Sequence, residues 1–195
     1  MGTFNVGKFP IGVAFDGTNI WVAKGEGNNV TKLPPSDGIV HGTLKVGTKP
    51  AFVAFDGANI WVTNEDSNNV TKLRPSDGAV LGTFNVGTNP VGVVFDGTNI
   101  WVTSRDSNTV TKLRTSNGAV LGTFTVGKVP GGVAFDGVNI WVTNENSNNV
   151  TKLRASDGAV LGTFSVGTLP LQVAFDRANI WVTNGCSSSV SKLKR

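Results

Sequence analysis

The chain has 195 residues, of which 39% are apolar and 15% charged, and it carries a net charge of +4. That length suits one domain or two small ones, and no stretch approaches the roughly 18 uninterrupted apolar residues of a membrane-spanning helix. Cys186 is the only cysteine, which excludes an intrachain disulfide and with it a disulfide-stapled secreted fold.

Met1 to Pro10 holds no basic-then-apolar run, so no secretory signal is expected there, and Val6 stands where an N-myristoylation motif wants Ser or Thr. Gly2-Thr3-Phe4 returns as Gly42-Thr43-Leu44, Gly82-Thr83-Phe84, Gly122-Thr123-Phe124 and Gly162-Thr163-Phe164. Asn-Ile-Trp-Val returns at Asn19, Asn59, Asn99, Asn139 and Asn179. The repeat units are therefore 2–41, 42–81, 82–121, 122–161 and 162–195, within one domain spanning 1–195. Residues 81–120 and 121–160 align without a gap and agree at 28 of 40 positions, as recent amplification or a consensus-type engineered repeat would give.

Each unit predicts four short strands. Val53-Ala54-Phe55 reads as the first, closed by the turn signal Asp56-Gly57. Ile60 to Thr63 is the second and Val70 to Leu73 the third, separated by the polar loop Asn64 to Asn68. Ser76-Asp77-Gly78 turns the chain into the fourth, where Val80, Gly82, Phe84 and Val86 alternate onto one face. Four strands per 40 residues, repeated, predict an all-β, five-bladed β-propeller with four antiparallel strands per blade. The chain opens in a fourth strand and stops after a third, so residues 2–6 are expected to complete the last blade and close the ring, hiding two sheet edges.

Trp61-Val62-Thr63-Asn64, Trp141-Val142-Thr143-Asn144 and Trp181-Val182-Thr183-Asn184 resemble the YVTN-type propeller repeat of prokaryotes, with Trp in place of Tyr. Phe55-Asp56-Gly57 and Asn68-Asn69-Val70-Thr71 fit it as well, while Trp101-Val102-Thr103-Ser104 and Trp21-Val22-Ala23-Lys24 depart from it. More loosely, the chain is similar to the streptogramin (virginiamycin B) lyase propellers. These resemblances imply a propeller, a periplasmic or cell-surface setting, and relatives of about seven blades.

The lyase resemblance implies a metal-assisted site built from histidines and an acidic residue. This chain has one histidine, His41, at a place held by leucine in three other units, and a lone His builds neither a His-based metal site nor a histidine acid–base pair. Cys186 lies among Asn184, Gly185, Ser187 and Ser188 with no base beside it. No catalytic residue and no cofactor are expected, and a lyase-like enzyme is the weakest reading.

The repeated tryptophans, Trp21 to Trp181, read as packing between blades rather than as sugar platforms. Asp16, Asp56, Asp96, Asp136 and Asp176 form a weak candidate metal ring, with turn bonding as the preferred role. Lys32, Lys72, Lys112, Lys152 and Lys192 read as a solvated outer edge, not a nucleic-acid surface. Differences between units gather in the loop between the second and third strands and in the connection into the first, which a meander places on one face. Phe9, Lys49, Phe52, Arg105 and Glu145 on that face are the candidate ligand-binding residues. The reading is a monomeric, non-enzymatic scaffold that binds a protein segment or a glycan. An engineered or truncated propeller with no natural ligand is the alternative.

Overall fold

The computed structural model describes residues 2–36 and 38–195 as five antiparallel sheets, each a meander in sequence order. The first holds β1 (Pro10–Phe15), β2 (Ile20–Lys24), β3 (Asn29–Leu33) and β4 (Gly42–Lys45). The second holds β5 (Pro50–Phe55), β6 (Ile60–Asn64), β7 (Asn69–Leu73) and β8 (Val80–Asn85). The third holds β9 (Pro90–Phe95), β10 (Asn99–Ser104), β11 (Thr109–Arg114) and β12 (Val120–Thr125). The fourth holds β13 (Pro130–Phe135), β14 (Asn139–Asn144), β15 (Asn149–Arg154) and β16 (Val160–Ser165). The fifth holds three strands, β17 (Pro170–Phe175), β18 (Asn179–Asn184) and β19 (Ser189–Lys194). The helical content among the described residues is one 3₁₀ turn, Glu145–Ser147, and no helix is long and apolar enough to cross a membrane.

The core is built between sheets, not within them. Trp21 of the first sheet clusters with Val53, Ile60, Val62 and Leu73 of the second. Trp61, Trp101 and Trp141 make the corresponding clusters one sheet further on, with Ile100, Ile140 and Ile180. These four tryptophans are fully buried, whereas Trp181, whose outer flank no sheet covers, is 38% exposed. The contrast assigns the burial to the neighbouring sheet and gives the tryptophans a packing role. At about 25 cal/mol per Å² and roughly 200 Å² per indole, each buried Trp contributes on the order of 5 kcal/mol gross.

Two polar devices repeat at the same junctions. Each first strand loses register against the second just after its proline, and in every blade but the first, which has Ala23 there, a threonine fills the irregularity. Thr103 Oγ1 accepts from the Gly92 amide at 2.9 Å and donates across the junction to the Gly131 carbonyl at 2.7 Å. Thr63 reaches Val91 and Thr143 reaches Leu171 in the same way. The second device corrects an expectation: of the third-strand lysines only Lys192 is exposed, and the other four are not a solvated edge. Lys72 and Lys112 are buried, at 6% and 7% exposure, and lie over the Trp61 and Trp101 rings. Lys112 Nζ donates to the carbonyls of Ala155 and Ser156 in the next sheet, at 2.7 and 3.0 Å, because burial obliges an ammonium to find acceptors.

The closure expected of residues 2–6 is not formed among the described residues. They carry no strand, and the fifth sheet has no fourth member. A Cβ at Gly38 would overlap the Phe4 ring, just as one at Gly118 would overlap Phe84, and Thr31 Oγ1 bonds the Val6 carbonyl at 3.2 Å. The N-terminal segment thus sits against the first sheet in the place an outer strand of a preceding sheet would take. Val13 and Phe15 on that flank, and Trp181 and Val190 on the far flank, are exposed.

Candidate ligand site on the variable face

The two variable loops of each blade are tied together at the positions that vary most. Glu65 N–H donates to the Lys49 carbonyl, Arg105 to Asn89, Glu145 to Val129 and Gly185 to Leu169, all within 3.0 Å. Lys49, Asn89, Val129 and Leu169 all take the left-handed backbone conformation, with φ of 54–56°. Asparagines of the preceding blade hold them there: Asn28, Asn68, Asn108 and Asn148 accept the four amides through Oδ1. The variable side chains are therefore presented from a rigid backbone.

Four of the five residues singled out in the sequence come together. Arg105 makes a two-pronged bond to Glu145 of the next blade, Nη1 to Oε1 at 2.5 Å and Nη2 to Oε2 at 2.7 Å. Planar fork-to-carboxylate pairing of this kind is both strong and directional. Lys49 Nζ lies 2.6 Å from Glu65 Oε2, and that bond holds the ammonium above the ordinary lysine range. Phe52, Glu65, Arg105 and Glu145 line one cleft of about 290 Å³ together with Val91, Leu171 and Gln172; Glu145 and Val91 are buried in it, and Leu171 is exposed. A smaller cavity of about 90 Å³ continues beneath it and shares Phe52, Gly131, Gly132 and Gln172. Phe9 stands apart: it is 58% exposed and its ring lies over Gly25 in the first blade.

Gly131, Gly132, Leu171 and Gln172 were not singled out in the sequence. Gly131 matters through what it lacks, since a Cβ there would come within 2.7 Å of Glu145 Oε1 and unseat the carboxylate. Gly132 lets the first strands of the fourth and fifth blades approach, a Cβ there meeting the Leu171 carbonyl at 2.8 Å. The only signal available was variation just after each Pro, where Gly12, Phe52, Gly92, Gly132 and Gln172 occupy one register position.

The aspartates lie elsewhere, in the grooves between blades. In each, Oδ1 accepts the amides two and three residues on, and Oδ2 accepts the Trp indole N–H at 2.6–2.8 Å, as in Asp96 with Thr98, Asn99 and Trp101. Burial pushes the Asp136 carboxyl up, but the bonds from Trp141, Asn139 and Val138 outweigh it and hold the group below the usual carboxylate range. Asp176, which has little burial, is pulled further down by Trp181 and its turn amides. No group of three or more His, Cys, Asp or Glu that could hold a metal exists among the described residues. His41 is exposed in the turn before β4, and Cys186 is exposed in the loop before β19.

No family model and no curated protein sequence matches the chain. Solved structures do. A streptogramin B lyase is 18% identical with a TM-score of 0.82, matching 95% of this chain and 64% of its own. A catalytically inactive virginiamycin B lyase from Staphylococcus aureus with quinupristin is 21% identical at a TM-score of 0.83, matching 98% of this chain and 68% of its own. A functionally unknown protein from Desulfotomaculum acetoxidans is 16% identical at 0.83, over 98% and 71%. This chain thus spans about two thirds of the length of the structures it matches. Over that length it has the fold of the streptogramin B lyase-like β-propellers.

Proposed function

We propose that the chain is a non-enzymatic, monomeric scaffold of YVTN-type blades that binds a protein segment or a glycan in the cleft on its variable face. The observation that carries this reading is the assembly of Phe52, Glu65, Arg105 and Glu145, variable residues of three blades, around one cleft that Val91 and Leu171 also line. An aromatic or aliphatic group would rest on Phe52, Val91 and Leu171, while hydroxyls or backbone amides would meet the carboxylates and the guanidinium. The cleft holds no histidine or cysteine, and a carboxylate already paired with Arg or Lys is a poor general base.

Peptide and glycan arrays probed with the native chain supply a ligand, and variants then locate it. Phe52→Ala, and the double change Arg105→Ala with Glu145→Ala, which avoids leaving one buried charge alone, should each weaken that ligand at least 10-fold. Binding unchanged in both would remove the cleft as the site. Arrays without a hit would favour the alternative, a propeller with no natural ligand.

A further inference from the structure

We propose that the grooves between successive blades, on the face opposite the variable loops, are binding sites for the guanidinium group of an arginine side chain. The groove recurs. Asp16, Thr18, Asn19 and Lys32 of the first blade face Pro75 and Ser76 of the second across about 340 Å³. Asp56, Asn59 and Lys72 face Thr115 and Ser116 across about 350 Å³. Asp96, Asn99 and Lys112 face Phe135, Ala155 and Ser156 across about 370 Å³.

The fourth junction shows what fits. Arg195 stands one repeat after Ala155 and two after Thr115, and its side chain turns into the junction of the fourth and fifth blades. Its Nε lies 3.7 Å from Asp136 Oδ2, and its guanidinium carbon lies 5.5 Å from the centre of the Phe175 ring. Nη2 would be 3.5 Å from a Cβ on Gly137. A carboxylate beside an aromatic face is the pairing a planar, weakly hydrated cation prefers. Asp96 and Phe135 stand in the third groove where Asp136 and Phe175 stand in the fourth, with Ala155 leaving open the space that Arg195 fills.

The groove lysine does not reverse this preference. In the first three junctions its ammonium is committed to next-blade carbonyls, Lys32 to Pro75 at 2.6 Å and Lys72 to Thr115 at 2.7 Å. In the fourth, Lys152 lies 4.8 Å from the Trp141 ring centre and Arg195 is seated nonetheless. The turn bonds leave the Asp Oδ2 side facing the groove, and the same oxygen holds the Trp indole N–H, which makes each tryptophan a reporter on its own groove.

The test is a titration of the ¹⁵N-labelled chain with N-acetyl-arginine amide, followed at the five indole N–H resonances. Trp21, Trp61 and Trp101 should shift together and saturate, while Trp141 stays fixed because Arg195 already fills its groove. Trp181, whose groove has no second wall, is the control for a carboxylate alone. Arg195→Ala should raise the number of responding grooves from three to four by freeing Trp141, and Ala155→Arg should silence Trp101. Equal response of Trp141 and Trp101 in the native chain would overturn the proposal. So would an equal effect of N-acetyl-lysine amide, or saturation by N-acetyl-aspartate amide, which would make the lysine the recognising group. A peptide with several spaced arginines binding more than 10-fold tighter than the single amide would identify the occupant as a polypeptide, and equal affinity a small guanidinium compound.

Discussion

Arg177 holds φ at 79° where Gly17, Gly57, Gly97 and Gly137 hold 89–94°. An L-residue with a long side chain in that region carries strain of about 1–2 kcal/mol that glycine does not, partly offset by glycine's greater freedom in the unfolded chain. Arg177→Gly should therefore stabilise the fold by about 1 kcal/mol, read as a higher urea midpoint at unchanged slope. An unchanged or lower midpoint would show that Arg177 gains elsewhere what the backbone loses. The Asp-Gly turns were legible because their residue types state the geometry. The left-handed backbone at Lys49, Asn89, Val129 and Leu169 was not, since these types share nothing. It is imposed on Val129 from outside, by Asn108 on its amide and Glu145 on its carbonyl. That geometry decides where the candidate ligand residues point.

At the scale of strands, the sequence stated its elements well: period-two alternation and Gly or Asx turns predicted four strands in each full unit, and the sheets follow them. What it hid is how sheets join. A threonine in Trp-Val-Thr-Asn looks like an ordinary strand residue, and a lysine in Val-Thr-Lys-Leu looks like a solvent-facing one. Their acceptors lie 28 and 43 residues away in the next blade, beyond any local pattern. Thr103 is the test case, since its hydroxyl serves Gly92 and Gly131 at once and is fully buried. Thr103→Val keeps the shape but orphans a buried amide and a carbonyl, and should cost about 1–3 kcal/mol in equilibrium unfolding. A loss below a few tenths would mean that the junction rests on apolar packing alone. The cleft was legible to the same degree: loop variation located Arg105 and Glu145, while Gly131 and Gly132 act by having no side chain and leave no chemical signature.

On the scale of the whole chain, four junctions repeat one set of contacts: Trp on the next blade's apolar face, and, in most, Thr and Lys to its carbonyls. The flanks that would make a fifth stay exposed, with Phe15 at 53% on one side and Trp181 at 38% on the other. In the Staphylococcus aureus lyase, 32% of the chain lies beyond the match to 98% of this one, leaving room for about two further blades of this size. The exposed flanks, with Phe4 held on the first blade rather than on β19, favour an arc whose ends stand apart. Cys186 supplies a natural label in the last blade, and Glu26→Cys places its counterpart in the matching loop of the first. Asp66→Cys with Asp106→Cys, in a Cys186→Ser background, gives the ruler for adjacent blades. Electron–electron dipolar spectroscopy should return a distance between labels at 26 and 186 clearly longer than the ruler. A distance equal to the ruler would mean that the first and last blades touch in a closed five-bladed ring, and would contradict the arc.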